Sequence, residues 1–361
     1  MKFIDEFRVA EVVHLFSEKL QKYNGSPISL MEVCGGHTMA IYRFGIPSLL
    51  PDNIRLISGP GCPVCVSGID FINRAIALSR IDDVIITTYG DLIRVPGSES
   101  SLEKEKSAGA DIRIVYSTLD ALKIAQEYKN KKIIFLGIGF ETTAPASAIA
   151  IQKAYQEKIS NFYLLSAHKI MPPVMEALLN DQIKIDGFIC PGHVSTITGS
   201  KIYNFIPDKY KIGCVVTGFE PTDIMQAILM LAKQIGNNDQ KVEIQYSRAV
   251  TADGNIKAQI IMNEVFETRN DYWRGIGEIP GSGLKLKGKY KNFDAELAFD
   301  IKLESKNENT VCICGDILRG LKTPKDCKLF GMVCSPDNPI GACMVSSEGA
   351  CHAFYKYRKY E

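Results

Sequence analysis

The sequence lacks a charge excess, a long apolar run, an internal repeat and a low-complexity tract. Its 361 residues carry 42 Lys and Arg against 41 Asp and Glu, a formal net charge of +1. That balance gives no electrostatic footprint for nucleic acid or an anionic membrane. No apolar run approaches the ~20 residues needed to cross a bilayer. The opening MKFIDEFRVAEVVHLFSEKL contains Asp5, Glu6 and Glu11 and has no apolar h-region, so it does not read as a secretory signal. The expected setting is the cytoplasm, where a permanent disulfide framework is not expected.

Against these absences stand eleven cysteines. In a reducing compartment their default uses are metal binding and redox chemistry. Six of them, Cys312, Cys314, Cys327, Cys334, Cys343 and Cys351, fall in the last fifty residues. The rest of the composition, 46% hydrophobic and 23% charged, is that of an ordinary globular chain long enough for two or three domains.

Residues 5–22 place Phe7, Val9, Val12, Val13, Leu15, Phe16 and Leu20 at helical period, which predicts an amphipathic helix. From there to about residue 235, short apolar runs alternate with helical stretches. Strands are predicted at 28–33, 54–58, 83–88, 112–116, 132–138, 161–167, 186–190 and 212–218. Helices are predicted at 71–80, 117–128, 142–155 and 221–235. Continuous apolar strands alternating with helices predict parallel sheets covered on both faces. The fold expected is α/β: two parallel-sheet, Rossmann-like domains over 1–130 and 131–240, divided at the polar stretch AQEYKNKK (125–132). A small C-terminal domain rich in loops and short helices follows over 241–361. Within it, GEIPGSGLKLKGKY (277–290) reads as irregular turns.

Several strand ends carry residues suited to chemistry. VCGGHTMA (33–40) follows the first strand, and its two glycines let the chain turn sharply, placing Cys34 and His37 near one another. A thiolate beside an imidazole suits a soft transition metal or an activated nucleophile. The bland alternative is a buried cysteine before an ordinary strand–helix turn. GPGCPVCVSG (59–68) follows the second strand and holds Cys62 and Cys65 as C-x-x-C. At a helix start such a pair is suited to reversible redox chemistry. Zinc would need a second matching pair, and none exists in the sequence. GIGFETTAP (137–145) puts Glu141 near a helix start, where it reads either as a capping carboxylate or as an acid facing a cleft. His168 and His193 follow the next two strands. Cys190 and Cys214 lie in apolar strands and read as core cysteines.

The tail gives the strongest metal signal. A cubane iron–sulfur cluster takes four thiolates, often from wrapping loops. Cys312, Cys327, Cys334 and Cys351, spaced C-x14-C-x6-C-x16-C, are the preferred set, with Cys314 and Cys343 as alternatives.

Taken together, EVCGGHT (32–38), GPGCPVC (59–65), GFETTAPA (139–146), PGHVS (191–195), RGIGEIPGSGLKL (274–286) and CGDILRGLKTPKDCKLFGMVCSPDNPIGACMVSSEGAC (314–351) resemble the hydrogenase maturation factor HypD family. The resemblance implies two α/β domains and a smaller domain holding a [4Fe–4S] cluster. It implies a scaffold that assembles the Fe(CN)2CO unit of [NiFe]-hydrogenases with the small chaperone HypC and the cyanide-supplying HypE. It further implies that Cys34 binds the iron that carries CN and CO, with His37 in the same motif and a HypC cysteine as a further ligand. Cys62 and Cys65 would be a redox-active pair facing the same cleft, exchanging electrons with the cluster. The competing expectation is a stand-alone iron–sulfur disulfide reductase acting through Cys62 and Cys65.

Overall fold

The computed structural model describes residues 5–180, 183–303 and 311–357. The apolar runs form strands within a residue or two of the predicted bounds: β1 Ile28–Glu32, β2 Ile54–Ser58, β3 Val84–Thr88, β4 Ile112–Ile114, β5 Lys132–Gly139, β6 Phe162–His168, β7 Gly187–Pro191 and β8 Gly213–Thr217. A short β9, Val242–Ile244, and a pair, β10 Phe266–Trp273 and β11 Gly277–Leu286, complete the set. β3, β7 and β8 are buried along their whole length. That is the environment of a parallel strand with helices on both faces, and it explains why their sequences do not alternate.

Two parallel sheets result, with strand orders β2-β1-β7-β8-β9 and β4-β3-β5-β6. The division expected at residue 130 is therefore corrected. β3 and β4 pair with β5 and β6, whereas β7 and β8 return to the sheet begun by β1 and β2. The AQEYKNKK stretch connects the helix Thr118–Glu127 to β5 inside one sheet. Local apolar runs mark strands but carry no information about which strands pair.

The C-terminal boundary is corrected too. β9 joins the first sheet beside β8. GEIPGSGLKL is not irregular turn but the strand β11, antiparallel to β10. The register shifts between Arg269 and Asp271, and Pro280, Gly281 and Ser282 sit in that irregularity. A bulge leaves its extra residues outside the ladder, so a proline without an N–H and a glycine are accommodated there while the pairing resumes on either side. The tail does not stand apart on a core of its own. Cys314, Ile317, Leu318, Cys334, Met344, Val345 and Cys351 belong to the same buried cluster as Met31, Ile57, Leu136 and Phe188 from the two sheets and Cys62 and Val64 from the turn after β2. The tail helix Ala350–Tyr357 packs on the helix Gly35–Arg43 that follows β1. Among the described residues no helix is long and apolar enough to cross a membrane.

Candidate functional site

Because β1 and β2 are parallel neighbours, with Glu32 opposite Ser58, the loops leaving their carboxyl ends start side by side. Cys34 has extended backbone and caps the helix Gly35–Arg43, whose Gly35 N–H donates to the carbonyl of Gly61 at 2.9 Å. A side chain on Gly61 would put its Cβ 2.2 Å from the Cys34 nitrogen, so only glycine permits this approach. Gly35 is equally confined, since a Cβ there would stand 2.6 Å from the Cβ of Glu348. Three separate segments thus converge on Cys34: its own turn, the turn before Cys62, and the tail.

Cys34 is half-buried by surface area yet enclosed by protein atoms. Burial, then the nearby Glu348 and Glu32, push its thiol up to about 12. Glu32 is itself buried. It accepts from the Cys34 N–H at 3.0 Å and from the Thr38 hydroxyl, and burial pushes its carboxyl up to about 8. Burial raises Glu348 as well. His37 lies fully buried with Nε2 3.0 Å from the Gly218 carbonyl and 3.3 Å from that of Thr217. Two acceptors at Nε2 assign the proton there, leaving Nδ1 as a bare acceptor with no partner. Burial holds the ring neutral, with its pKa lowered to about 4. The His37 ring stacks on Phe219 at 4.6 Å, and Phe219 stacks in turn on the exposed His193 at 4.0 Å.

Cys62 caps the short helix Pro63–Val66, and its sulfur accepts from the Cys65 N–H at 3.2 Å. The two cysteines form a disulfide with Cα atoms 5.2 Å apart. Both are buried, at 2% and 0% exposure, so the pair sits inside the core and does not face an open cleft. The Cys65 sulfur lies 3.9 Å from the Ala342 carbonyl, next to Cys343 of the tail. On the other side the helix is tied to β10: Arg274 donates its N–H to Val66 at 3.0 Å, and Ser67 pairs with Trp273.

Four tail cysteines expected from spacing, Cys312, Cys327, Cys334 and Cys351, line one cavity, and Cys314 lines it with them. Its other walls are apolar, with Ile317, Leu329, Phe330 and Met344. The sulfurs of Cys312 and Cys314 are 3.2 Å apart, and Ile340 donates its N–H to the Cys334 sulfur at 3.4 Å. Cys312, Cys343 and Cys351 all hydrogen-bond Cys314, which lowers the pKa of Cys314 and raises theirs. Gly341 is required here, because a Cβ would stand 2.5 Å from the Cys312 sulfur. Five thiols around an apolar chamber are a donor set that suits iron–sulfur ligation. Among the described residues no three His, Cys, Asp or Glu side chains already stand at ion-holding separation.

The remaining strand-end residues divide. His193 joins the His37 stack, but His168 is packed away, with Nε2 2.9 Å from the Ser147 hydroxyl and its ring edge against Phe266. Glu141 does not cap its own helix. It is buried, accepts from the Met171 N–H at 2.9 Å, and so caps the following helix Met171–Leu179. Its second oxygen has no partner, and burial pushes the carboxyl up to about 7. It bonds neither to Cys34 nor to the Cys62–Cys65 pair. Two residues of the site were not singled out from sequence. Glu32 had a signal, a carboxylate in an otherwise apolar strand two positions before Cys34. Glu348 had none, because only the tail's return to β1 brings it there.

The sequence profile described as "HypD: Hydrogenase formation hypA family" matches residues 9–358. The chain is 47% identical to "Hydrogenase maturation factor HypD2" of Bradyrhizobium diazoefficiens, covering 100% of this chain and 98% of that protein. It is 46% identical to "Hydrogenase maturation factor HypD" of Cupriavidus necator, at 100% and 98% coverage. The HypD of Escherichia coli is 44% identical, at 100% and 99%.

Proposed function

The chain belongs to the HypD family of hydrogenase maturation factors, and from that premise we propose that it is the scaffold and thiol-redox platform on which the Fe(CN)2CO unit of [NiFe]-hydrogenases is put together. A HypC-type chaperone and a HypE-type cyanide donor are its partners in this reading, and the cytoplasm its setting. The observation that carries the reading is the Gly61–Cys34 backbone junction, with the Cys62–Cys65 disulfide starting one residue beyond Gly61 and its Cys65 sulfur 3.9 Å from the carbonyl of Ala342, the residue before Cys343.

Iron is the cargo, with Cys34 as the ligand and His37 in support. A thiol held near 12 by burial and two carboxyl groups is a poor free nucleophile. A cation at the sulfur reverses that preference, because its charge offsets the burial of the thiolate. This favours metal capture over nucleophilic catalysis at Cys34. The neutral His37 keeps an unshared lone pair on Nδ1 in a buried setting, which suits a soft metal better than a charged ring would.

A [4Fe–4S] cluster, when bound, supplies one-electron transfer. Cys312, Cys327, Cys334 and Cys351 would hold it, with Cys314 or Cys343 able to replace one of them. Cys62 and Cys65 store two electrons as a dithiol or release them as a disulfide. Their burial counts against a stand-alone disulfide reductase, whose pair must be reached by its clients.

The test is anaerobic copurification with a HypC-type partner. Infrared bands of iron-bound cyanide and CO are expected in the complex and absent from Cys34→Ala. Bands that survive this change would show that Cys34 is not the iron ligand.

A further inference from the structure

His37 is held from one place. Its Nε2–H donates to the carbonyls of Thr217 and Gly218, and its ring stacks on Phe219, so all three contacts come from the turn that leaves β8. Behind that turn lies a network to which the assembly reading gives no task. At its centre is Asp223, in the first turn of the helix Pro221–Asn237, an acid with no exposed surface. Arg248 donates to both of its oxygens, Nη1 to Oδ1 at 2.8 Å and Nη2 to Oδ2 at 2.5 Å. Gln245 donates its Nε2 to Oδ1 at 2.8 Å, and the Glu220 N–H reaches Oδ2 at 3.2 Å.

We infer that Asp223 and Gln245 are positioning residues for His37: they fix the peptide between Thr217 and Gly218 so that its carbonyl faces His37 Nε2 and the lone pair of the ring is left at Nδ1. This rests on reading His37 as support for iron at Cys34.

Direction is passed along the hydrogen bonds. A carboxylate paired with a guanidinium only accepts. Gln245 must therefore turn its NH2 toward Asp223, which leaves Oε1 on the other side. That oxygen receives the Gly218 N–H at 3.2 Å and lies 3.0 Å from the Thr217 hydroxyl. A trans peptide points its N–H and C=O in opposite directions. With the Gly218 N–H pinned to Gln245, the Thr217 carbonyl is aimed away from Gln245 and toward His37, 3.3 Å from Nε2. A carbonyl cannot donate, so the ring carries its proton at Nε2.

Glycine makes the approach possible, because a Cβ at Gly218 would stand 2.2 Å from Asp223 Oδ2. The Phe219 ring is admitted in the same way, since a Cβ at Gly36 would stand 2.9 Å from it. The stack sets the plane of the imidazole, and the carbonyls choose which edge meets the turn. A metal-binding histidine is commonly oriented like this, by its other ring nitrogen donating to a carbonyl. Asp223 also caps its own helix, and a purely structural role would end there.

The experiment reads the tautomer itself. Full-length protein is labelled with 15N-histidine, which gives five residues to resolve, and His37 is identified by its loss in His37→Gln. Above neutral pH ordinary imidazoles are uncharged, and the 15N shifts of the two ring nitrogens report which one carries hydrogen. The unaltered protein is expected to show His37 as Nε2–H alone. Asp223→Asn keeps an acceptor for the Glu220 N–H but removes the charge that orients Gln245, and Gln245→Leu removes the link outright. In both, the Nδ1–H form of His37 should rise, on the order of tenfold for the loss of one hydrogen bond. Glu220→Gln, which cuts the ion pair to Arg8 at the same helix start but stands outside this chain of bonds, should leave His37 as it was. An unchanged His37 pattern in either folded variant, or an equal disturbance by Glu220→Gln, overturns the inference. Gln245→Leu carries the test alone should Asp223→Asn fail to fold. Iron bands that survive Cys34→Ala would instead sink the assembly reading and leave the tautomer measurement intact.

Discussion

At the scale of single residues the protein holds several ionisable groups in charge states they would not keep in water. Glu141 is held protonated up to about 7, from an ordinary 4.5, and His168 is held neutral down to about 4, from 6.5. Both shifts come first from burial, and they pull stability in opposite directions. Glu141 binds its proton more tightly in the folded state, so its contribution is complete below 4.5 and is lost as pH rises through 7. His168 binds its proton less tightly when folded, so its contribution is complete above 6.5 and is lost as pH falls through 4. Each is worth at most roughly 3 kcal/mol across its window. Thermal midpoints measured from pH 4 to 8 should therefore fall on both sides. Glu141→Gln should flatten the alkaline side and His168→Asn the acid side. An alkaline slope that is the same with and without Glu141 would refute the assignment. Of these residues the sequence made the types and strand-end placement legible. It could not tell that His168 faces Ser147 while His193 faces Phe219, because that depends on which way each turn leaves its strand.

At the scale of elements the decisive feature is the crossing of two turns. The turn after β1 and the turn after β2 meet with Gly61 against the Cys34 backbone. Gly61→Ala would place a methyl carbon 2.2 Å from the Cys34 nitrogen, far inside van der Waals contact, so the turns must separate. Overpacking of this kind costs about 1–3 kcal/mol. The protein should still fold but give weaker iron-bound cyanide and CO bands, while its tail iron content stays unchanged. Unaltered infrared bands would mean that the junction does not position Cys34. Strand positions were legible because apolar runs of five to eight residues bounded by glycine, proline and charge have few other readings. The hairpin was not, since Pro280 and Gly281 are turn formers by type and become strand residues only through the bulge that receives them.

At the scale of the whole molecule, the sheets interleave and the tail completes their shared core. Two domains were expected because strands that follow one another usually pair. Here the return of β7 and β8 to the first sheet overrides that rule, and no local pattern announces it. The tail contributes Ile317, Leu318, Met344, Val345 and Phe354 as buried side chains. At about 1.5–3 kcal/mol each, they match the 5–15 kcal/mol by which a typical domain is stable. A chain ending at residue 303 should therefore lose its cooperative thermal transition and bind an apolar dye. A sharp transition in that fragment, at the midpoint of the full chain, would show that the tail is an independent unit after all.

The same tail has a consequence for timing. Glu348 and the helix Ala350–Tyr357 complete the wall around Cys34, more than three hundred residues after that cysteine leaves the ribosome. Closing so long a loop is slow, and at 5–20 residues per second synthesis itself takes tens of seconds. Throughout that interval Cys34 lacks the wall that Glu348 and the tail helix supply. The enclosed surroundings of Cys34 come into being only as the last segment docks, so the burial that raises its thiol is a property of the finished chain alone.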